Sequence, residues 1–490
     1  LTSAPDATRP AMAGLYPDPT ICRVGDDFWV AHSSFEYSPG IPVWHSRDLL
    51  TWRQVGNALD RDDQSVAGAA PASGGIYAPT LRHHDGRFWL ITTDVDAADG
   101  GQVAFHAETP EGPWSAAIRL TDLRGIDPDL VWDDDGVCLV SFCYWDDDGI
   151  VIKQAAVDLE AGRLLEEPRW LWRGTGLGNT EGPHLYRRGG WWYLVVAEGG
   201  TDRGHVVSVA RSRDPRGPFE GFPGNPVLTH RSTRHPVQSV GHADLVELPD
   251  GSWAAVYLGT RPRGRTPRFH VNGRETFLAA VRWEDDWPVF DEGALIPHEQ
   301  PGDVDDDFSR LPDWHPRWIS AGARLTDCTV PVRDGVLLRH VPVPSGESTG
   351  LFTRARHAHW SARIELTAGT GPAVAGVRVD ARHWYGLRVT ADEVQAVSHV
   401  GAIEHVVGTV PSPAGRPVVA HVASRPATTG GPDDIELSVE TGDGRVVLAS
   451  LDGRYLSTEV AGGFTGRVLG VWAEAGEVTV HRITYGADHA

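Results

Sequence analysis

Thr180 to Gly200 reads TEGPHLYRRGGWWYLVVAEGG: an acid in a Gly-Pro setting, a short strand, a Gly-Gly turn, then an aromatic-aliphatic strand. The same grammar recurs as PDPTICRVGDDFWVAHSS from Pro17, APTLRHHDGRFWLITTD from Ala78, DPDLVWDDDGVCLVSFCYW from Asp127 and GHADLVELPDGSWAAVYLGT from Gly241. In each copy a short strand enters a turn at Gly25, Gly86, Gly136, Gly190 or Gly251 and an alternating strand leaves it, the signature of a hairpin. The spacing, 50 residues from Gly86 to Gly136 and 61 from Gly190 to Gly251, suits four-stranded blades with inserted loops. The fold expected is all-β: a five-bladed β-propeller, followed by a C-terminal β-sandwich.

Radial packing would aim the start of each innermost strand at the central axis, and those starts carry Asp18, Ala78, Asp127, Glu181 and His242. Three are acids. Carboxylates gathered from distant strands repel and raise one another's pKa, which suits chemistry better than a solvated face. Ring closure is expected to use a late strand to complete an early blade.

The 490 residues call for two domains, read as a propeller over residues 1–296 and a sandwich over residues 303–490. Nineteen Trp, 56 Gly and 35 Pro among short alternating apolar segments argue for β structure with many turns. A formal net charge of −22 argues against nucleic acid or an anionic membrane as partner and favours a neutral small substrate. Lys153 is the only lysine, so lysine-nucleophile chemistry has little support. The four cysteines, Cys22, Cys138, Cys143 and Cys328, form no CxxC pattern and are expected to be free thiols. The stretch LTSAPDATRPAMAGLYPDP has no basic region followed by an apolar core. Cytoplasmic residence is therefore the expectation, with secretion still open where a signal peptide had been removed.

Along the chain, residues 1 to about 15 read as a loose arm, and Trp44 and Trp52 as blade-packing aromatics. Phe35, in a polar Ser-Ser-Phe-Glu segment near the channel mouth, reads as substrate-facing. Residues 60–75 form a small, polar loop expected at the channel entrance, and Tyr77 beside Ala78 offers an aromatic wall. Of Asp127 and Asp129, which on a regular strand would share a face, Asp127 is assigned to the axis because it precedes Pro128 as Asp18 precedes Pro19. Asp133 to Asp135 and Asp146 to Asp148 read as hairpin turns, since the full calcium-loop pattern is missing. Arg274 and Glu275 open a late strand, and either could project into the channel.

With Pro17-Asp18-Pro19, Asp127-Pro128, Thr180-Glu181-Gly182-Pro183-His184, Gly241-His242-Ala243-Asp244 and Gly273-Arg274-Glu275-Thr276-Phe277 in hand, the chain resembles glycoside hydrolase family 43, β-xylosidase branch. Asp306-Asp307-Phe308-Ser309 and Gly463-Phe464-Thr465-Gly466 resemble that branch's concanavalin-like sandwich. The resemblance implies an inverting, exo-acting hydrolase of terminal pentosides. Asp18 would be the general base, Glu181 the general acid, and Asp127 the neighbour that raises the pKa of Glu181. Phe35, Tyr77, His242 and Arg274 would contact the sugar. No cofactor is required and no metal site is nominated, although the resemblance leaves room for a structural calcium near His242. Tyr77 stands where many relatives carry Trp. A homo-oligomer is compatible with the resemblance.

Inverting cleavage needs a proton donor on the leaving oxygen and a second carboxylate about 6.5–9.5 Å away that activates water. β-1,4-Xylosidase is the first reading and α-L-arabinofuranosidase, or a dual enzyme, the second, because the same acids serve both. A non-catalytic sugar-binding propeller and a retaining fructosidase are the more distant alternatives.

Overall fold

The computed structural model describes residues 8–61, 63–64, 70–97, 100–147, 149–413 and 416–488. The middle of the 60–75 loop and Asp148 therefore lie outside the described residues.

Five antiparallel sheets follow one another along the chain. Their innermost strands are Thr20–Val24, Thr80–His84, Ile126–Trp132, Glu181–Arg188 and Gln238–Glu247. Each neighbours the next, and the first lies against the fifth, which closes the ring. The hairpins form as the repeat dictates: Cys22 faces Trp29, Leu81 faces Leu90 and Leu245 faces Ala255. Alternation places one apolar row of each sheet against the next, so five cores fill the gaps between blades. Trp44 and Trp52 pack with Ile21 and Val256 in the core between the last and first blades. Each such large side chain stabilises by about 2 kcal/mol when fully buried.

Closure differs from the expectation. Every blade is built from one continuous stretch of chain, although Tyr37–Ser38 leaves the first blade to pair with Ser320–Ala321. The late strand Glu275–Glu284 stays in the fifth blade, where it pairs with Trp253–Thr260. The N-terminal segment is tied to it by the bridge Met12 to Thr276, by the Gly14 amide on Glu275 Oε1 at 2.9 Å and by the Thr276 hydroxyl on the Tyr16 carbonyl at 2.7 Å. The arm is correspondingly not loose over its described part: Ala11, Met12 and Leu15 are buried, and the Ala11 amide donates to the Thr276 carbonyl at 2.7 Å. Apolar side chains and a paired backbone hold it down.

The second half stacks a sheet centred on Glu477–Ala487 and Trp360–Ala368 against a six-stranded sheet, Gly350–Arg354 to Ile403–Pro411, over one apolar core. This β-sandwich is fused to the propeller along a seam. Ser320–Ala321 pairs with Tyr37–Ser38, and Leu15, Phe35 and Tyr37 pack on Phe352, Trp384 and Trp472. The four cysteines are free and buried.

Candidate active site

Backbone geometry aims the acids. Asp18, Asp127 and His242 hold left-handed φ values of 51°, 55° and 50°, and Gly182 has 55°. The strand register slips between Ile126 and Asp129, between Glu181 and His184, and between Gly241 and Asp244. These are β-bulges, which re-aim side chains beside functional sites, and Asp and His are among the non-glycine residues that tolerate this conformation best. The bulge separates Asp127 from Asp129, which a regular strand would have kept on one face. Glu181 is also displaced by one position: the residue equivalent to Asp18, Asp127 and His242 in the fourth blade is Gly182. A Cβ there would stand 2.9 Å from His242 Nε2.

All seven residues nominated from the sequence meet in one pocket. Asp18, Asp127 and Glu181 line it with His242 and Arg274, and Phe35 and Tyr77 form its wall. Ala78 lies there too, leaving the second blade without an acid. Arg274 forks onto Asp18, with Nη1 to Oδ1 at 2.7 Å and Nη2 to Oδ2 at 3.3 Å. Ser33 donates to Asp18 Oδ2 at 2.6 Å, and His242 Nδ1 lies 3.5 Å from Oδ1. Glu275, the other candidate beside Arg274, instead turns away to Arg261 at 2.6 Å.

These surroundings divide the carboxyls. Burial works to raise Asp18, but Arg274, His242 and the Ser33 hydrogen bond hold it below its usual value. Burial, then the charges of Asp127 and Asp18, push Glu181 up to about 8. Asp127 is also raised, by burial first, and accepts the Gly182 amide at 3.1 Å. One carboxylate is thus kept ionised and another kept protonated near neutral pH, in one largely buried pocket.

Three lining residues were missed from the sequence: Ile126, Thr201 and Phe464. Thr201 bonds to Arg274 Nη1 at 3.0 Å. Phe464 comes from the sandwich: its ring stacks near Phe35 at 6.1 Å, meets Tyr77 edge-on at 5.9 Å, and shares the Arg274 guanidinium with Phe35. Its Gly-Gly-Phe-Thr-Gly setting was the available signal, because Gly466 must lie against the Asn272–Gly273 backbone.

Below the acids, a second layer surrounds Arg82. Its guanidinium binds Asp244 and Asp129, each at 2.8 Å, and reaches His184 Nδ1 at 3.1 Å. Asp244 also accepts from Thr20 and Ile21, and Asp129 from Leu185, so all five inner strands are tied together. These residues do not fit a calcium ion near His242. The axial oxygen donors already surround a built-in cation, and no group of three or more acids, histidines or cysteines among the described residues could hold a metal.

Comparisons with known proteins identify the family of both halves of the chain. Residues 7–288 match the family described as Glycosyl hydrolases family 43, and residues 306–481 match the Beta xylosidase C-terminal Concanavalin A-like domain. A non-reducing end α-L-arabinofuranosidase of Bacteroides ovatus is 35% identical over 95% of this chain and 90% of its own length. A xylosidase/arabinosidase of Butyrivibrio fibrisolvens is 44% identical, but over 59% of this chain and 57% of its own length. Among solved structures, a xylan β-1,4-xylosidase from Bacillus halodurans has a TM-score of 0.87 at 27% identity, covering 97% of this chain and 99% of that one.

Proposed function

The chain belongs to glycosyl hydrolases family 43, whose members are inverting glycosidases, and we propose that it removes a single terminal pentose from oligosaccharides, with β-1,4-xylosides as preferred substrates. The observation that carries this reading is the divided pair of acids in a pocket closed by aromatics. Glu181 protonates the departing glycosidic oxygen. Asp18, ionised, takes a proton from the water that attacks the anomeric carbon from the opposite face. Asp127 raises the proton affinity of Glu181 and fixes the Gly182 backbone behind it. Phe35, Tyr77 and Phe464 enclose the sugar ring, and His242 and Arg274 border it. The neutral pentoside meets no charge conflict.

A second reading, α-L-arabinofuranosidase, is favoured by the relative that matches over nearly the full chain. Turnover of p-nitrophenyl β-D-xylopyranoside and p-nitrophenyl α-L-arabinofuranoside at matched concentrations decides between them, with Asp18→Ala as control. Faster xyloside hydrolysis that the variant lacks is expected. Faster arabinoside hydrolysis moves the substrate to the second reading, and turnover retained by Asp18→Ala overturns the base. Proton NMR of the first-formed sugar anomer tests inversion directly.

A further inference from the structure

A second pocket, of about 340 Å³, opens on the seam between propeller and sandwich and shares no lining residue with the pocket of the acids. Tyr16, Trp44 and Trp52 wall it on the propeller side; Thr353 and Arg356 face them from the sandwich. Its charge is unusual for this protein. In a chain of net charge −22 its lining contains Arg53, Arg317 and Arg356 and no Asp or Glu.

The two inner guanidiniums are held by neutral groups. Arg356 donates to the carbonyls of Ala13 and Pro301, each at 3.2 Å. Arg317 donates to the Asp303 carbonyl at 2.7 Å and lies on the His315 ring, with Nε 3.0 Å from Nδ1. The nearby carboxylate of Asp306 is engaged by Trp318 Nε1 and the Phe308 amide, both at 2.8 Å. Burial, then Arg317, holds His315 down at about 4, and burial together with Arg356 lowers Arg317. Two buried donors beside the cavity, Trp44 Nε1 and Arg356 Nη2, have no hydrogen-bond partner among the described residues. Guanidinium charge with no carboxylate in the lining, the unpaired Arg356 Nη2 and the exposed margins of Tyr16, Trp44 and Trp52 converge on one small volume.

We propose that this pocket binds a monosaccharide-sized carboxylate, of which a hexuronic acid is the sugar form. Guanidinium donors match the oxygens of a carboxylate, and the apolar margin of Tyr16, Trp44 and Trp52 beside them suits the carbon skeleton of one sugar ring. The volume lies at the small end of ligand pockets, which suits one ring rather than a chain. The inference does not rest on the hydrolytic reading, since no residue is shared.

Calorimetric titration of the full chain with glucuronate, glucose and sulfate tests it. Saturable glucuronate binding is expected, at least about tenfold tighter than glucose, the margin a charge-assisted contact provides. Arg317→Gln is expected to weaken glucuronate by about tenfold or more while leaving aryl pentoside turnover unchanged. Arg53→Ala, at an exposed position, removes charge without touching the buried seam and is expected to weaken binding as well. Glucuronate heat no greater than that of glucose would overturn the site. Sulfate binding as tight as glucuronate would overturn the sugar assignment. Displacement of glucuronate by xylose, or wild-type binding by both variants, would move the ligand out of this pocket.

Discussion

Asp18 and Glu181 carry the same functional group, and burial acts on both in the same direction. Their neighbours decide the outcome: a cationic fork for Asp18, carboxylate charges for Glu181. Removing the proton donor should therefore show in the leaving group. Glu181→Ala is expected to lower turnover of an unactivated xylo-disaccharide by about 10³-fold, within the range for general acid catalysis. The loss with a dinitrophenyl xyloside is expected to be far smaller, since that leaving group departs without a proton; equal losses on both would remove the assigned role. Asp18 must be charged, so the acid limb of kcat/KM lies below the ordinary carboxylate range. Glu181 must be protonated, so activity falls as pH rises through about 8. Asp127→Asn deletes a charge that raises Glu181, and its basic limb is expected to move to lower pH; an unmoved limb would break that link. These residues were legible in the sequence because each of the acids sits beside a Pro or Gly at the head of a repeat. Thr201 had no such marker, being an ordinary hydroxyl in a glycine-rich loop.

At the scale of the strand, the pattern of alternation located the blades but could not show the bulges. A left-handed Asp leaves no trace in a period of two, which is why Asp127 and Asp129 looked like neighbours on one face. Gly182 is the position where this geometry is most exposed to test. Gly182→Ala places a Cβ 2.9 Å from His242 Nε2 on a backbone with φ of 55°. It is expected to cost roughly 1–3 kcal/mol by urea denaturation and to lower kcat/KM by displacing His242. Unchanged stability and activity would mean that the bulge yields freely. The Arg82 layer was invisible for a different reason: an arginine in an alternating strand reads as solvent-facing until five strands converge on it. Arg82→Met leaves Asp129 and Asp244 buried without their cation. A loss of about 3–5 kcal/mol is expected, as for breaking a buried pair from one side. A loss below about 1 kcal/mol would show that the ring does not depend on this hub.

At the scale of the whole molecule, the sandwich is part of the site, because Phe464 completes the aromatic wall begun by Phe35 and Tyr77. Its Gly-Gly-Phe-Thr-Gly setting signals a close approach without naming the partner, since the contact joins residues 391 positions apart, Ser73 and Phe464. Ser73 links this wall to the seam: its hydroxyl accepts the Phe464 amide at 2.8 Å, and its own amide donates to Glu36 Oε2 at 2.9 Å. Glu36 is fully buried, and burial followed by the charge of Glu347 pushes it from 4.5 up to about 8. Its folded pKa thus lies above its unfolded one. The stabilisation is complete below the unfolded value and is lost as pH climbs through the folded value. Between the two, the folded state binds one more proton, and stability falls by up to about 1.4 kcal/mol per pH unit. Glu181, raised in the same way, adds a second slope of the same sign. Glu36→Gln keeps an acceptor for the Ser73 amide and removes the titration. It is therefore expected to remove about half of the decline in stability between pH 5.5 and 8, read as urea midpoints, within the linkage of the two groups. A variant that keeps the full wild-type slope would show that the seam holds Glu36 ionised. Because Ser73 bonds to both Glu36 and Phe464, the same variant should also suppress any alkaline rise in KM that comes from loosening of the sandwich loop, leaving the limb of Glu181 in kcat untouched.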